Sequence, residues 1–438
     1  MGRGWVWLVG GAALLAPLAV ASPDLEFELA TFEEFDPARV ELGHLLFYDP
    51  ILSGNQEVAC ATCHHPRFAT ADGLSLGLGD GAFGLGPERR VDPDNMPEQR
   101  IPRHSPALFN LGAAEFQVMF HDGRLEADAS RPNGIRTPLG DAMADGFASV
   151  LSAQAMFPVL SADEMAGHYS ENEVSQSVRL GHLSLEGGAW DQIAARVAAV
   201  PGYADRIGAV HGAGHAVTFT DISDLLAEFI AVEWRADNSP FDRYLRGAAA
   251  LDDAALRGMD LFYGEAGCGS CHAGQFQTDH AFHAIAMPQL GPGKAARFES
   301  HALDVGRMRV TGDPADAYAF RTPSLRNVAD TAPYGHSGAY ATLEGVIRHH
   351  LDPVAALYAY DRGQVVLPDL PGAVDWRIMD DPAAVAEIAA ANDLAPVALE
   401  DAQIVDLIAF LEALSDPDGI AGIYGVPEAV PSGLDVPR

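Results

Sequence analysis

The chain contains Cys60-Ala61-Thr62-Cys63-His64 and Cys268-Gly269-Ser270-Cys271-His272, two copies of the pattern C-x-x-C-H that use all four of its cysteines. Covalent attachment of haem requires two thiols on one helical turn, one for each vinyl group, and an imidazole directly after them that binds the iron. The two motifs therefore predict two covalently bound haem c groups, with His64 and His272 as the proximal iron ligands.

Other uses of paired cysteines fit this pattern less well. Zinc ribbons place their two C-x-x-C pairs roughly 15–20 residues apart, whereas the two pairs here lie 208 residues apart. A zinc site, a pair of redox dithiols or two disulfides would leave the histidine after each pair unexplained. Haem attachment explains both histidines.

The sequence before the two motifs repeats itself. Gly43-His44-Leu45-Leu46-Phe47-Tyr48 precedes the first motif, and Gly258-Met259-Asp260-Leu261-Phe262-Tyr263 precedes the second. Each predicts the end of a helix that leads into a haem-binding loop. The predicted fold is therefore mostly α, with two cytochrome c-like helical haem domains at residues 22–240 and 241–438 and long loops.

Apolar residues at helical spacing predict two further elements. Phe219 to Trp234 predicts a helix that ends the first domain, and Arg235 to Asp252 a linker after it. A closing helix behind Asp401 is predicted from the apolar residues Ile404, Leu407, Ile408, Leu411 and Leu414. Three stretches without a clean period are predicted to form loops, at residues 81–102, 128–144 and 353–396.

The first 21 residues have the features of a cleaved signal peptide. They contain one basic residue, Arg3, an apolar run from Trp5 to Val20, and the small-residue sequence Ala19-Val20-Ala21. An uncleaved membrane anchor is the alternative, but 16 apolar residues with a proline are short for a bilayer span. We therefore expect a chain exported to a bacterial periplasm, without a membrane span in its mature part.

Acidic residues far outnumber basic ones. The chain has 61 Asp and Glu against 27 Lys and Arg, a net charge of −34. This charge repels the phosphates of nucleic acids and excludes nucleic acid as the partner. A protein that docks here should carry a basic patch, because complementary charges steer encounter.

Several separated motifs accompany the haem sites. They are Phe47-Tyr48-Asp49-Pro50-Ile51-Leu52-Ser53-Gly54, Phe120-His121-Asp122-Gly123-Arg124, Thr322-Pro323-Ser324-Leu325-Arg326-Asn327-Val328, Thr331-Ala332-Pro333-Tyr334-Gly335-His336-Ser337-Gly338 and Thr342-Leu343-Glu344. With them the sequence resembles the diheme bacterial cytochrome c peroxidases and their MauG and MbnH relatives, from about Leu42 to Ser415. The segment Pro333 to Pro353 is most similar to the MbnH branch. The resemblance implies a diheme oxidoreductase that uses hydrogen peroxide as oxidant.

The resemblance also implies a peroxide pocket over the N-terminal haem. In the family this pocket contains a glutamine and a glutamate ten positions apart with a proline between them, and Gln154, Pro158 and Glu164 keep that spacing. Glu164 would be the acid/base that moves a proton between the peroxide oxygens, because hydroxide leaves poorly unless it is protonated. Gln154 would hold the peroxide or a distal water. For Glu164 the alternative is an ordinary solvated carboxylate.

The sequence departs from the peroxidases at the distal side of the first haem. Those enzymes carry a removable histidine 16 residues after the first C-x-x-C-H, and here that position is Asp80. We therefore expect the first iron to be open to peroxide in the resting enzyme, as in MauG.

The second haem has a different expected ligand from that of its relatives. In the family the ligand follows the threonine of a Thr-x-Pro motif by 19 residues, as Met in the peroxidases and Tyr in MauG. Counting from Thr331 gives His350, with His349 as the fallback. A bis-histidine haem lacks the methionine that raises the reduction potential, and is better suited to stabilising an oxidised state.

Two more family positions are changed. His121 stands where the family has a tryptophan between the haems, which puts the usual relay in doubt because imidazole is much harder to oxidise than indole. His104 replaces an asparagine of the family's calcium site, whose other ligands match the backbone carbonyls of Thr331 and Pro333. Calcium is still expected as a candidate cofactor, because water can complete its shell.

Three functions are consistent with these features. The open first haem and His350 favour MauG-like or MbnH-like oxidation of a residue on a partner protein. The second hypothesis is a peroxidase that reduces hydrogen peroxide to water with electrons from a small redox protein. The third is a non-enzymatic diheme electron carrier, against which the pair Gln154 and Glu164 argues.

Overall fold

The computed structural model describes Met1, residues 30–294 and residues 302–438, so the predicted signal peptide lies outside the described residues except for Met1. The predicted mostly α fold is confirmed. The helices of the described residues are α1 (Pro37–Tyr48), α2 (Cys60–Cys63), α3 (Val150–Ala155), α4 (Glu173–Leu180), α5 (Ala189–Ala198), α6 (Pro201–His211), α7 (Phe219–Glu233), α8 (Pro240–Leu245), α9 (Asp253–Tyr263), α10 (Met308–Thr311), α11 (Leu343–Leu351), α12 (Pro353–Tyr358), α13 (Pro382–Ala390), α14 (Asp401–Glu412) and α15 (Pro417–Ala421). Within the same residues, none of these helices has both the length and the apolar character needed to cross a bilayer.

Strands are short and form small antiparallel sheets. The strands are β1 (Ala82–Phe83), β2 (Arg90–Val91), β3 (Val118–Met119), β4 (Leu125–Ala127), β5 (Ile135–Arg136), β6 (Phe282–His283) and β7 (Phe320–Arg321). β1 pairs with β2, β4 lies between β3 and β5, and β6 pairs with β7. In the pair of β6 and β7, Phe282 lies opposite Arg321. Both strands lie beside an interior cavity.

The repeated sequences form the same helix crossing in each half. α1 packs against α7, and α9 packs against α14. A β-carbon built on Gly43 would lie 1.9 Å from the carbonyl oxygen of Leu225, and one built on Gly258 would lie 1.9 Å from that of Asp406. Only glycine permits either approach. The two halves are therefore built alike, as the repeat predicts.

The two predicted helices at the ends of these units are confirmed as α7 and α14. α7 begins after Thr218, whose hydroxyl accepts a hydrogen bond from the N–H of Asp221. The predicted linker after it contains α8, which is held to the second unit by a buried ion pair between Asp242 and Arg326.

The C-terminal tail returns to the first unit. The ring of His44 lies with its Nε2 2.7 Å from the carbonyl oxygen of Gly425. The carboxylate of Glu233 accepts hydrogen bonds from the backbone N–H groups of Ile423, Tyr424 and Gly425, and Val430 is buried in the first core. The C-terminal tail thus packs on the first unit, although it follows residue 240 in the sequence. The domain boundary at residue 240 stays a prediction.

The predicted loop at residues 353–396 is wrong in part, because it contains α12 and α13. These helices bury Leu357, Val385 and Ile388 in a small separate core. α13 has an ordinary start signal, an Asp381 cap followed by proline, which the sequence analysis overlooked.

Candidate active site

The first C-x-x-C-H motif forms the single helical turn α2. Nδ1 of His64 lies 2.9 Å from the carbonyl oxygen of Thr70. Because a carbonyl can only accept, Nδ1 carries the proton and Nε2 is left with its lone pair, the arrangement that metal-binding histidines use. The thiols of Cys60 and Cys63 are free. These groups fit a covalently attached haem.

The second motif repeats this arrangement. Cys268 to Ser270 form a 3-10 turn, and Nδ1 of His272 lies 2.9 Å from the carbonyl oxygen of Gln277. Nε2 of His272 is therefore the nitrogen with a lone pair. Cys271 is also a free thiol, and the second motif fits haem c as well as the first.

One interior cavity connects the two units. Its lining includes Cys268, Cys271, His272 and His350 of the second haem site, and Pro106, His121 and Gln154 of the first unit. The structure thus brings together the second haem motif, its predicted distal ligand His350, Gln154 predicted for the peroxide pocket, and His121 at the inter-haem position. Glu164 is not among the residues that line this cavity.

The adjacent histidines of α11 have different surroundings. Nδ1 of His350 lies 2.8 Å from the carbonyl oxygen of Val346, one turn earlier, which leaves Nε2 available. The fully buried His349 uses both nitrogens, at 2.8 Å from the hydroxyl of Tyr340 and 2.7 Å from the carbonyl oxygen of Ile285. Of these two histidines, His350 is therefore the one with a ring nitrogen that could hold the iron of the second haem.

Gln154 lies near the end of α3 and faces the cavity. Its Oε1 is buried and has no hydrogen-bond partner in the part of the chain that the structure describes. A buried carbonyl oxygen without a donor costs free energy. An O–H group of a bound peroxide or water would satisfy it, as predicted for a distal amide.

Glu164 lies near the first haem motif, where its charge acts on Cys63. Burial raises the pKa of Glu164, and the charges of Lys294 and Arg124 oppose this rise. Neither cation was predicted to take part in this site. Arg124 belongs to the motif Phe120-His121-Asp122-Gly123-Arg124, which is a signal for it, whereas nothing in the sequence pattern marks Lys294.

Asp80 is held by a loop that packs directly on Glu164. The backbone N–H of Asp80 donates to the carbonyl oxygen of Glu164 at 2.9 Å, and its Oδ2 accepts from Asn55 at 2.7 Å. Burial raises the pKa of Asp80 to about 7, with Glu171 adding to the rise. The side chain at the removable-histidine position is thus bonded to Asn55.

His121 belongs to a group of buried cations and imidazoles. Burial holds the pKa of His121 well below its usual range, and Arg103, His336 and His104 lower it further. The ring of His336 stacks on Phe320 at 3.7 Å between centroids. Burial of the imidazole therefore disfavours the positive charge that removal of an electron would leave on His121.

The predicted calcium site is a poor fit. Thr331 and Pro333 line the cavity, but Nδ1 of His104 lies 2.8 Å from the carbonyl oxygen of Leu74, and burial lowers the pKa of His104 to about 4. Calcium takes oxygen ligands, and His104 brings a nitrogen where the family brings an amide oxygen. Calcium stays a prediction, and no step below depends on it.

Comparisons with known proteins identify the family of the chain. The sequence profile of the di-haem cytochrome c peroxidases matches residues 37–250. The methylamine utilization protein MauG of Methylorubrum extorquens is 32% identical over 320 residues, which cover 72% of this chain and 69% of MauG. The cytochrome c551 peroxidase of Nitrosomonas europaea is 29% identical over 331 residues, 75% of this chain and 77% of that protein.

A solved structure gives the same result. The crystal structure of a MauG-like protein associated with microbial copper homeostasis matches with a TM-score of 0.58 and 26% identity, over 89% of this chain and 92% of that one. The chain therefore belongs to the di-haem cytochrome c peroxidase and MauG family, whose members are diheme c-type oxidoreductases that use peroxide.

Proposed function

We propose that this protein is a periplasmic enzyme that takes up hydrogen peroxide at an open N-terminal haem, attached to Cys60 and Cys63, and oxidises a residue on a partner protein. One observation carries the proposal. His350 presents a free Nε2 on the cavity that His272 also lines, while Asp80, at the removable-ligand position, is bonded to Asn55. The second site then has two histidines, and the first lacks the removable histidine that would close it.

The chain's own residues supply the proton chemistry. When bound, the haem iron supplies the redox chemistry that breaks the O–O bond. Glu164 takes the proton from one oxygen of hydrogen peroxide and gives it to the other oxygen, which departs as water. Oε1 of Gln154 accepts a hydrogen bond from peroxide and orients it. A carboxylate whose pKa is raised by burial is a stronger proton acceptor than an ordinary glutamate.

His121 acts as a spacer between the two haem sites in this proposal. Its neighbours Arg103 and Arg321 disfavour a positive charge on the imidazole. Electrons therefore pass between the haems without a stop on this residue.

The partner should be a protein with a basic surface, because the chain carries a net charge of −34. The similarity to MauG and to the MauG-like protein supports modification of a protein. The relatives named as peroxidases support the second function, removal of peroxide with electrons from a small redox protein.

The two functions can be separated by supplying both kinds of partner. The holoenzyme is mixed with peroxide and either reduced horse cytochrome c, a basic electron donor, or the exported proteins encoded beside its gene. We expect slow oxidation of the cytochrome and a mass change on an aromatic residue of one neighbouring protein. Fast multiple-turnover oxidation of cytochrome c with no modified neighbour would instead establish the peroxidase function.

A further inference from the structure

Arg89 is a buried arginine that holds one loop of the first unit through backbone oxygens. It is 3% exposed. Its guanidinium donates three hydrogen bonds to carbonyl oxygens, from Nε to Leu78 at 2.5 Å, from Nη1 to Gly84 at 2.8 Å and from Nη2 to Gly79 at 2.7 Å. In the part of the chain that the structure describes, no carboxylate forms an ion pair with it. The three carbonyls therefore supply the partial charges that make its burial tolerable. We call residues 78–84 the Asp80 loop.

The Asp80 loop packs on the main chain of the proposed acid/base. A β-carbon built on Gly79 would lie 2.2 Å from the carbonyl oxygen of Asp163 and 2.4 Å from that of Glu164, so this approach requires glycine. The backbone N–H of Asp80 donates to the carbonyl oxygen of Glu164 at 2.9 Å. The loop that Arg89 holds therefore sets where the main chain of Glu164 lies.

We propose that Arg89 is a positioning residue for peroxide cleavage, which acts through the Asp80 loop on the carboxylate of Glu164. This inference rests on the proposed function, in which Glu164 moves a proton between the peroxide oxygens. Such a transfer requires the carboxylate to lie within hydrogen-bond reach of the peroxide. A misplacement of about 1 Å can slow an enzyme about 10²-fold.

Arg89→Lys tests this role from the side of the clamp. Lysine keeps the positive charge, which acts on Cys63 of the first haem motif, but its compact ammonium group lacks the planar fork that binds three carbonyls at once. The holoenzyme variant, mixed with hydrogen peroxide in a stopped-flow instrument, should react about 10²-fold more slowly than the wild type. A loss in Arg89→Lys therefore reports the geometry of the clamp rather than its charge.

Gly79→Ala tests the same contact from the side of the loop. The added methyl group would push the Asp80 loop away from the main chain of Glu164. We expect this variant to react more slowly by a similar factor. It carries the test if Arg89→Lys does not assemble with two haems.

The matched control is Arg90→Lys. Arg90 is the next residue, is exposed, and donates to the carbonyl oxygens of Pro87 and Arg89. This variant should react at the wild-type rate.

A double variant shows whether Arg89 acts through Glu164. Arg89→Lys combined with Glu164→Gln should react no more slowly than Glu164→Gln alone, because a carboxylate that is absent cannot be misplaced. In Arg89→Lys alone, the fall in rate at low pH should move to lower pH, since a displaced carboxyl loses part of the burial that raises its pKa. A purely structural role of Arg89 would give additive losses and would leave the pH dependence unchanged.

Two results would overturn the positioning role. One is a wild-type rate in both Arg89→Lys and Gly79→Ala, and the other is a double variant that is slower than Glu164→Gln by the full factor of Arg89→Lys. Glu164→Gln, measured beside them, separates the two proposals. A slow Glu164→Gln beside a fast Arg89→Lys rejects only the positioning role, whereas a wild-type rate in Glu164→Gln rejects the proposed role of Glu164 as well.

Discussion

The hydroxyl of Tyr340 lies 2.8 Å from Nδ1 of His349, and this hydrogen bond distinguishes two histidines that are neighbours in the sequence. His349 has no nitrogen left for iron, whereas His350 has one. We expect one high-spin and one low-spin haem in the EPR spectrum of the resting ferric enzyme. His350→Ala should convert the low-spin EPR signal into a second high-spin signal, whereas His349→Gln should leave the low-spin signal unchanged. The opposite pattern would assign the ligand to His349.

Covalent attachment can be tested separately at each motif. Intact-mass spectrometry should find the polypeptide plus two haem groups, which remain bound after denaturation. The double variant Cys60→Ser, Cys63→Ser should lose one haem, and Cys268→Ser, Cys271→Ser should lose the other. A Cys60–Cys63 disulfide or bound zinc in the wild type would reject the haem assignment.

Glu164→Gln should slow the reaction of the holoenzyme with peroxide by about 10²–10⁴-fold, because glutamine keeps the size but cannot exchange a proton. Burial raises the pKa of Glu164 against the pull of Lys294 and Arg124. Since the base must be ionised, the wild-type rate should fall as the pH drops through this raised pKa. Stopped-flow absorbance measures both effects.

The control for this variant is Asp163→Asn, which removes the neighbouring carboxylate. It should slow the reaction far less than Glu164→Gln. If Glu164→Gln reacted at the wild-type rate and its rate still fell at low pH as in the wild type, another group would move the proton.

A buried ion-pair network joins the two halves of the chain. Arg103 lies 2.6 Å from Asp304 and 2.8 Å from Asp122. Burial alone would raise the pKa of Asp304, but Arg103 holds it well below its usual range. Because the pKa of Asp304 is lower in the folded state, the ionised carboxylate stabilises the fold at pH values above its unfolded-state pKa of about 3.9. This stabilisation is lost as the pH falls towards the folded-state pKa.

Asp304→Asn should therefore lower the free energy of unfolding by about 3 kcal/mol, the lower end for breaking a buried pair, since Asp122 remains. Chemical denaturation near neutral pH measures this loss. The matched variant Asp406→Asn breaks an exposed ion pair with Arg257 and should change stability little. Equal effects of the two variants would show that burial of the network contributes nothing.

The sequence predicted those parts of the structure that have a local signature. The C-x-x-C-H spacing marked both haem motifs, and the repeated sequences that begin at Gly43 and Gly258 predicted the helix before each of them. The close helix crossing at each of these glycines came from the structure. The pair Gln154 and Glu164 depended on family spacing rather than on chemistry visible in the residues themselves.

Other parts depend on contacts between distant segments. Lys294 is 130 positions from Glu164 in the sequence, and no local pattern connects them. Tyr340 and His349 are nine residues apart, but the proton position on the ring depends on Ile285 from another segment. Such relationships are fixed by the packing of the chain and could not be read from spacing.

The central claim is that peroxide has direct access to the first haem in the resting enzyme. Stopped-flow mixing of the fully ferric holoenzyme with hydrogen peroxide, in the absence of any reductant, tests it most directly. Because Asp80 takes the place of the removable histidine, we predict an immediate change in haem absorbance. An enzyme that stays unchanged until it has first been reduced by one electron would contradict this account, since a removable protein ligand would then close the site.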